Sequence, residues 1–186
     1  IKTTYDFIRN DKGFSDVHVA ISGVGKVGSK LAKLLSKYNA KITASSINLE
    51  LIKKLKTQIE VHEVEPDKLF MTHCDIISPC ALGGAINDSN KKNLNCKAIV
   101  GAANNQLANN EIGGWLIKNN VIYAPDYLVN SGGVIAIASE INKTEKLMEN
   151  QLKKISNRLK LVLTESVKNK ESSDMVAKRI SWERIN

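Results

Sequence analysis

The sequence predicts an α/β fold: a doubly wound, mostly parallel sheet with C-terminal helices packed back on it. Three observations predict it. An apolar run over residues 17–21 feeds the loop Gly23-Val24-Gly25-Lys26-Val27-Gly28, after which Leu31, Leu34 and Leu35 recur at helical spacing before a β-rich run from Ala40. Short apolar runs return over 76–78, 97–100 and 121–124, each followed by small residues or amides, as at the carboxyl ends of parallel strands. From Val134 onward the periodicity is helical almost to the end. Together these give a Rossmann-like order of strand, glycine turn, helix and strand.

Taken in order, residues 1–16 read as a lead-in, closed by a turn at Asp11-Lys12-Gly13. In the glycine loop each glycine has a physical task in a dinucleotide site. Gly23 allows the tight turn, Gly25 lets the backbone approach a pyrophosphate, and Gly28 lets the helix pack closely on the strand. The anion sits at the helix N-terminus, on unpaired N–H groups and the positive end of the dipole. A glycine-rich turn can also be a plain connection, but here the strand before it and the helix and strand after it favour the dinucleotide reading.

Asn48 is placed to cap a helix running through Ile59, and 61–64 is a brief β-rich piece before Pro66. The runs that follow deliver three segments to what should be one rim: Pro79-Cys80-Ala81, Ala103-Asn104-Asn105 and Asn130-Ser131-Gly132-Gly133. Between the second and third lie a short helix over 115–119 and a strand over 121–124. Cys80 reads as a small apolar filler rather than a reactive thiol. The helical part carries Ile135, Ile137, Ala138 and Ile141. Leu152, Ile155, Leu159, Val162, Leu163 and Val167 follow, then a last helix over 173–185 with Ser173 or Asp174 as its cap. This spacing is too irregular for a free coiled coil, so the helices should pack on the sheet.

With 186 residues, 42% of them hydrophobic, the chain suffices for one substantial core, or one domain with a helical extension. No apolar run is long enough to span a bilayer and the start has no apolar signal core, so no membrane partner and a cytoplasmic location are expected. Three cysteines, Cys74, Cys80 and Cys96, are an odd number without paired metal spacing, and His18, His62 and His73 are scattered. Free thiols are expected, and no metal. The net charge of +8 invites a nucleic-acid partner. The lysines are spread along helical segments and only 5% of residues are aromatic, which argues for a solvated basic surface and no nucleic-acid partner.

The glycine loop, the stretches CDIISPCALGGAIND (74–88), GAANNQL (101–107) and YAPDYLVNSGGVI (123–135), and the closing ISWERI resemble the C-terminal, NAD-binding domain of the glutamate, leucine, phenylalanine and valine dehydrogenase family. The leucine/phenylalanine/valine branch is the nearest. The resemblance implies reversible oxidative deamination of an L-amino acid to a 2-oxo acid and ammonia, with NAD as cofactor and a homo-oligomer in the full-length form. By match of motif, Gly23, Gly25, Lys26, Val27 and Gly28 receive the pyrophosphate. Ser46 and Ile47 end the second strand beside the adenosine ribose, which Cys80, Ala81 and Leu82 border. Ala103 and Asn104 lie at the nicotinamide end, and Asn130, Val134 and Ile137 face the amino acid.

Two departures from the family pattern matter. Ser46 stands where the family usually has an acidic residue that binds the ribose, and Lys26 where it often has asparagine; both lower the barrier to NADP. The family's catalytic lysines and aspartate lie in an N-terminal substrate domain that nothing here resembles, so no catalytic residue is expected in this chain. It should bind cofactor without turnover, as an excised domain or truncated product. The expected organisation is a lead-in from that domain over 1–16, a dinucleotide-binding domain over 17–142, and C-terminal helices over 143–186 completing the same domain. Val134 and Ile137 favour an apolar substrate such as leucine or valine, the alternative being that both are core. A non-catalytic nucleotide-sensing or oligomer-forming module is the competing function, and a dehydrogenase of another kind, acting on a folate or a hydroxy acid, a third.

Overall fold

The structure, a computed structural model, describes residues 1–9, 14, 16–141 and 145–185. The turn expected at Asp11-Lys12-Gly13 and the boundary expected between residues 142 and 143 lie outside the described residues.

Six strands, β1 (His18–Ser22), β2 (Lys41–Ser45), β3 (His62–Glu63), β4 (Cys74–Pro79), β5 (Cys96–Ile99) and β6 (Ile122–Tyr123), form one sheet in the order β3-β2-β1-β4-β5-β6. Every pairing is parallel. Helices α1 (Lys2–Ile8), α2 (Lys26–Ser36) and α3 (Leu49–Lys56) precede β4; α4 (Asn110–Lys118) joins β5 to β6; α5 (Asp126–Val129), α6 (Gly132–Ile141), α7 (Glu145–Asn169) and α8 (Ser173–Ile185) follow β6.

Both faces of the sheet are covered, which is why its strands read as apolar runs and not as alternation. On one face Val19 and Ile21 of β1 pack with Ala32 and Leu35 of α2, Ile52 and Leu55 of α3, Tyr5 of α1, and Leu159 and Leu163 of α7. On the other, Ala20, Ile77 and Ile99 meet Ile112 and Leu116 of α4. The strand order reverses between β1 and β4, where Ser22 faces Ser45 on one side and Pro79 on the other. A crevice at the carboxyl ends of the strands belongs at such a switch point.

The local differences from the sequence reading have physical reasons. The buried face of α2 is Gly28, Ala32 and Leu35, which turns Leu34 outward. Helix α3 stops at Lys56, short of Ile59, where the N–H of Gln58 turns to the Leu55 carbonyl three residues back, at 3.0 Å, and tightens the chain out of α geometry. Helix α4 starts well before Trp115: the Asn109 side chain accepts from the N–H groups of Glu111 and Ile112 and carries the helix through Gly113 and Gly114. The cap of α8 is neither Ser173 nor Asp174 but Ser172, whose hydroxyl accepts from the N–H of Met175 at 3.4 Å. Ser173 donates instead to the carbonyl of Tyr123 at 2.6 Å, tying α8 to β6. In α7, Leu159, Val162 and Leu163 are buried, while Leu152 and Val167 stay exposed.

The first helix is part of the core. Tyr5 is fully buried, and the Thr3 hydroxyl lies 2.7 Å from that of Ser156 on α7. Replacing Tyr5 with Ala should lower unfolding free energy by about 3–5 kcal/mol in urea titrations, the cost of an aromatic cavity; a loss below about 1 kcal/mol would show that α1 is dispensable.

Candidate functional site

The rim of the sheet at β1 is built by backbone. Gly23 has φ of +95°, and a Cβ there would lie 2.6 Å from that of Ala81. Its N–H bonds the carbonyl of Ser45 at 3.0 Å, holding the loop across β2. Gly28 is held more tightly: a Cβ would sit 2.0 Å from the Gly23 carbonyl oxygen. Gly25 contrasts with both, since a Cβ there would meet nothing within 4 Å. It is the N-cap of α2 and offers no side-chain cap, and the first turn holds no acidic residue. Helices α3 and α4 have their first amides capped by Asn48 and Asn109. The first N–H groups of α2 are therefore left for an outside acceptor, with Lys26 exposed beside them.

At the end of β2 the Ser46 hydroxyl accepts from the N–H of Asn48 at 3.1 Å and keeps its own proton to give. Ile47 next to it is 92% exposed. From β4, the N–H of Cys80 bonds the Ser22 carbonyl at 2.8 Å, bringing Ala81 and Leu82 out as exposed residues opposite the glycine loop. Burial pushes the Cys80 thiol up, against the opposing effect of the Ser78 hydroxyl 3.6 Å away, so it is not held as a thiolate. Cys74 and Cys96 are pushed up to about 12 by burial, and all three cysteines are free.

The β5 and β6 ends meet directly. The N–H groups of Ala102 and Ala103 bond the Pro79 carbonyl at 2.9 and 3.0 Å, folding the β5 loop over β4. Asn104 then stands exposed, and the Asn130 side-chain amide donates to its Oδ1 at 2.6 Å. Beyond Asn130, Val134, Ile137 and Ile141 form one stripe of α6, at 71%, 60% and 76% exposure. They are not core. The structure thus brings together Gly23 with Ala81, and Asn104 with Asn130, along the carboxyl edge; it leaves Val27, Ile47, Leu82, Val134 and Ile137 as exposed apolar residues.

The sequence reading missed a buried polar group behind this rim. Asp126 is buried, and its carboxylate accepts from the N–H groups of Tyr127 at 2.8 Å and Gln106 at 3.3 Å. The only hint was an aspartate directly after a proline at a strand end. Among the described residues no three His, Cys, Asp or Glu side chains are grouped to hold a metal, and no helix is long and apolar enough to cross a membrane.

Residues 3–178 match the family described as Glutamate/Leucine/Phenylalanine/Valine dehydrogenase. The chain is 35% identical to leucine dehydrogenase of Bacillus subtilis over 170 residues, 90% of this chain and 46% of that protein. It is 44% identical to phenylalanine dehydrogenase of Thermoactinomyces intermedius over 125 residues, 66% of this chain and 34% of that protein. The crystal structure of L-tryptophan dehydrogenase from Nostoc punctiforme superposes with a TM-score of 0.94 at 29% identity, over 100% of this chain and 56% of that one. The chain spans less than half the length of the first two proteins.

The two ends of the glycine loop should respond differently to a methyl group. Gly28→Ala should cost about 1–3 kcal/mol in urea unfolding through overpacking, whereas Gly25→Ala should cost under about 1 kcal/mol, the difference between caps. Equal losses would mean that the Gly28 contact is not the tight one.

Proposed function

Since the chain belongs to the Glutamate/Leucine/Phenylalanine/Valine dehydrogenase family, we propose that it is the dinucleotide-binding part of an NAD(P)-dependent L-amino-acid dehydrogenase. The reaction is reversible deamination of an L-amino acid to a 2-oxo acid and ammonia, with an apolar amino acid such as leucine or valine as substrate. The observation that carries the reading is the uncapped N-terminus of α2 at Gly25, open to an anion, on the same edge as the Asn104–Asn130 pair.

The residues present fit a dinucleotide. The free amides of Lys26, Val27 and Gly28 suit the pyrophosphate, with the helix dipole and the Lys26 charge adding to them. The Ser46 hydroxyl suits a ribose hydroxyl, and Ile47, Ala81 and Leu82 offer apolar surface to an adenine. Cys80 and Ala103 set the backbone of the two strand ends on which Ala81 and Asn104 stand. When bound, the nicotinamide supplies the hydride acceptor. The part of this chain is orientation: Asn104, fixed by Asn130, directs its amide to the nicotinamide end, and Asn130 flanks the amino acid.

Lys26 is set beside the anion site and not at the Asn104–Asn130 end, so proton transfer is assigned, as the family resemblance implies, to a separate substrate domain with its own lysines, and this chain alone binds cofactor without turnover. Residues 1–16 lead in from that domain, 17–142 bind the dinucleotide, and 143–186 complete the same domain. The full-length protein is read as a cytoplasmic homo-oligomer.

Apolar substrates are supported twice. Val134 and Ile137 present bare aliphatic surface with no hydrogen-bond donor, so once a substrate domain closes over it a side-chain carboxylate such as that of glutamate would lose its water without gaining a partner, at a cost of several kcal/mol. The named relatives also act on leucine, phenylalanine or tryptophan.

Titration of this chain with NADH and NADPH should give affinities within about tenfold of each other, since no carboxylate at position 46 repels a 2′-phosphate. Ser46→Asp should then favour NADH by about tenfold or more. A strong NADH preference without the substitution would overturn the Ser46 assignment, and binding of neither by the folded chain would favour the non-catalytic module. In the complete enzyme, Ile137→Ser should lower kcat/KM for leucine by about 10- to 200-fold; a preference for glutamate in steady-state assays would refute the apolar reading.

A further inference from the structure

Helices α7 and α8 form a hairpin closed by the three residues 170–172, a connection short enough to leave them antiparallel neighbours. Val162 of α7 meets Val176 and Ala177 of α8 in a small apolar cluster, with Leu128 of α5 and Ile180 packed against it. Beyond that cluster, away from the turn, the helices border an open cleft of about 240 Å³. Leu128, Val162 and Ile180 line it, and so do Arg158 and Arg184. Arg158 lies one helical turn before Val162, and Arg184 one turn after Ile180. Residues four apart share a helix face, so the two arginines stand at one level on facing sides of the hairpin.

Among the described residues neither guanidinium has an ion-pair or hydrogen-bond partner. The spacing explains why. The residues three and four away are Lys154, Ile155, Leu161 and Val162 for Arg158, and Ile180 and Ser181 for Arg184, none of them acidic. Nearby carboxylates are engaged elsewhere: Asp174 by Lys178 at 2.7 Å, and Glu171 and Glu183 by Arg179 at 3.3 and 3.6 Å. Two unpaired cations facing each other across a cleft repel, and an anion between them turns that repulsion into attraction. Ser131 and Ser181 line the same cleft, but their hydroxyls donate to the carbonyls of Leu128 at 2.8 Å and Ala177 at 2.9 Å. Recognition of an anion therefore falls to the arginines alone.

We propose that this cleft binds a small aliphatic carboxylate, its charged end between the Arg158 and Arg184 guanidinia and its hydrocarbon body on Leu128, Val162 and Ile180. The planar guanidinium fork matches a carboxylate, which accepts hydrogen bonds and donates none. The cleft is smaller than the pockets of drug-sized ligands and suits a body of about four to six carbons. Inorganic phosphate is poorly served, because it has nothing to set on the apolar floor and would lose water there without gaining a donor. The occupant would rest against Leu128 and Ser131, which flank the residue Asn130 that holds Asn104. The site stands whether or not the chain binds a dinucleotide.

The test is thermal unfolding of this chain titrated separately with hexanoate, acetate, inorganic phosphate and hexanamide, at ionic strength matched with chloride. Hexanoate at about ten times its Kd should raise Tm saturably by about 3–6 °C, and the other three at the same concentration by less than about 1 °C. Arg158→Gln and Arg184→Gln should each weaken hexanoate binding by about tenfold or more, as for one lost charged hydrogen bond. Lys160→Gln, which removes the same charge from an exposed position of α7, should leave it unchanged. A match by acetate or phosphate reports general attraction to a basic surface, and a match by hexanamide an apolar cleft without anion recognition; each overturns the proposal. Hexanoate binding retained in both arginine variants, or no response to hexanoate, overturns it too. If the arginine variants do not fold, crystals of the unsubstituted chain soaked in 6-bromohexanoate decide: an anomalous bromine peak over Val162 and Ile180 supports the site, and a map without one refutes it.

Discussion

The approach of α2 to its own loop is the constraint on which the rest of the rim depends. At Gly28 the helix comes so near the Gly23 carbonyl that no side chain fits, and at Gly23 the chain turns through positive φ against Ala81. These contacts fix where the first turn of α2 points relative to β1 and β4, and therefore where its unpaired amides lie. A helix displaced outward by one methyl group would still pack Ala32 and Leu35 on Val19 and Ile21, but its N-terminus would move off the switch point. Fold stability and site geometry thus meet at one backbone contact.

The second organising feature is the way the strand ends are sewn together beyond the sheet. Cys80 reaches back to Ser22, Ala102 and Ala103 to Pro79, and Ala124 to Ile99, so hydrogen bonds of the ladder continue past the last paired residues. Only after these bonds do the side chains diverge into the crevice, where Asn130 meets Asn104. A rim laid down by backbone bonds has little freedom to relax, which suits surfaces that must hold a ligand in one orientation.

Much of this was legible in the sequence. The strands announced themselves as apolar runs because both faces of the sheet are covered, and Asn48 capped its helix as its spacing implied. The small residues after each run marked the rim, since bulkier side chains would fill a crevice. What was not legible has a common cause in contacts between distant residues. That Leu34 faces water follows from which face of α2 meets the sheet, and that Ser173 is drawn to Tyr123 follows from where α8 lands. The start of helix α4, before Trp115, was hidden by Gly113 and Gly114, whose low propensity is offset by the Asn109 cap and by burial of Ile112 and Leu116. Gln106 and Asp126 looked like loop polars, because nothing in a sequence separates a solvated amide from a buried one.

The charge layout bears on what the rim can accept. The positive end of α2, Lys26, and the absence of an acidic residue in that first turn make one end of the crevice favourable to anions. Ser46 extends this: its hydroxyl is occupied as an acceptor by the Asn48 amide, so what it presents outward is a proton. An acidic residue at this position would act as an acceptor and repel a second phosphate. The serine instead offers a donor, which serves a ribose hydroxyl and a phosphate oxygen alike. Discrimination between the two dinucleotides would then have to come from shape, and Ile47, almost wholly exposed beside Ser46, leaves that side of the crevice open.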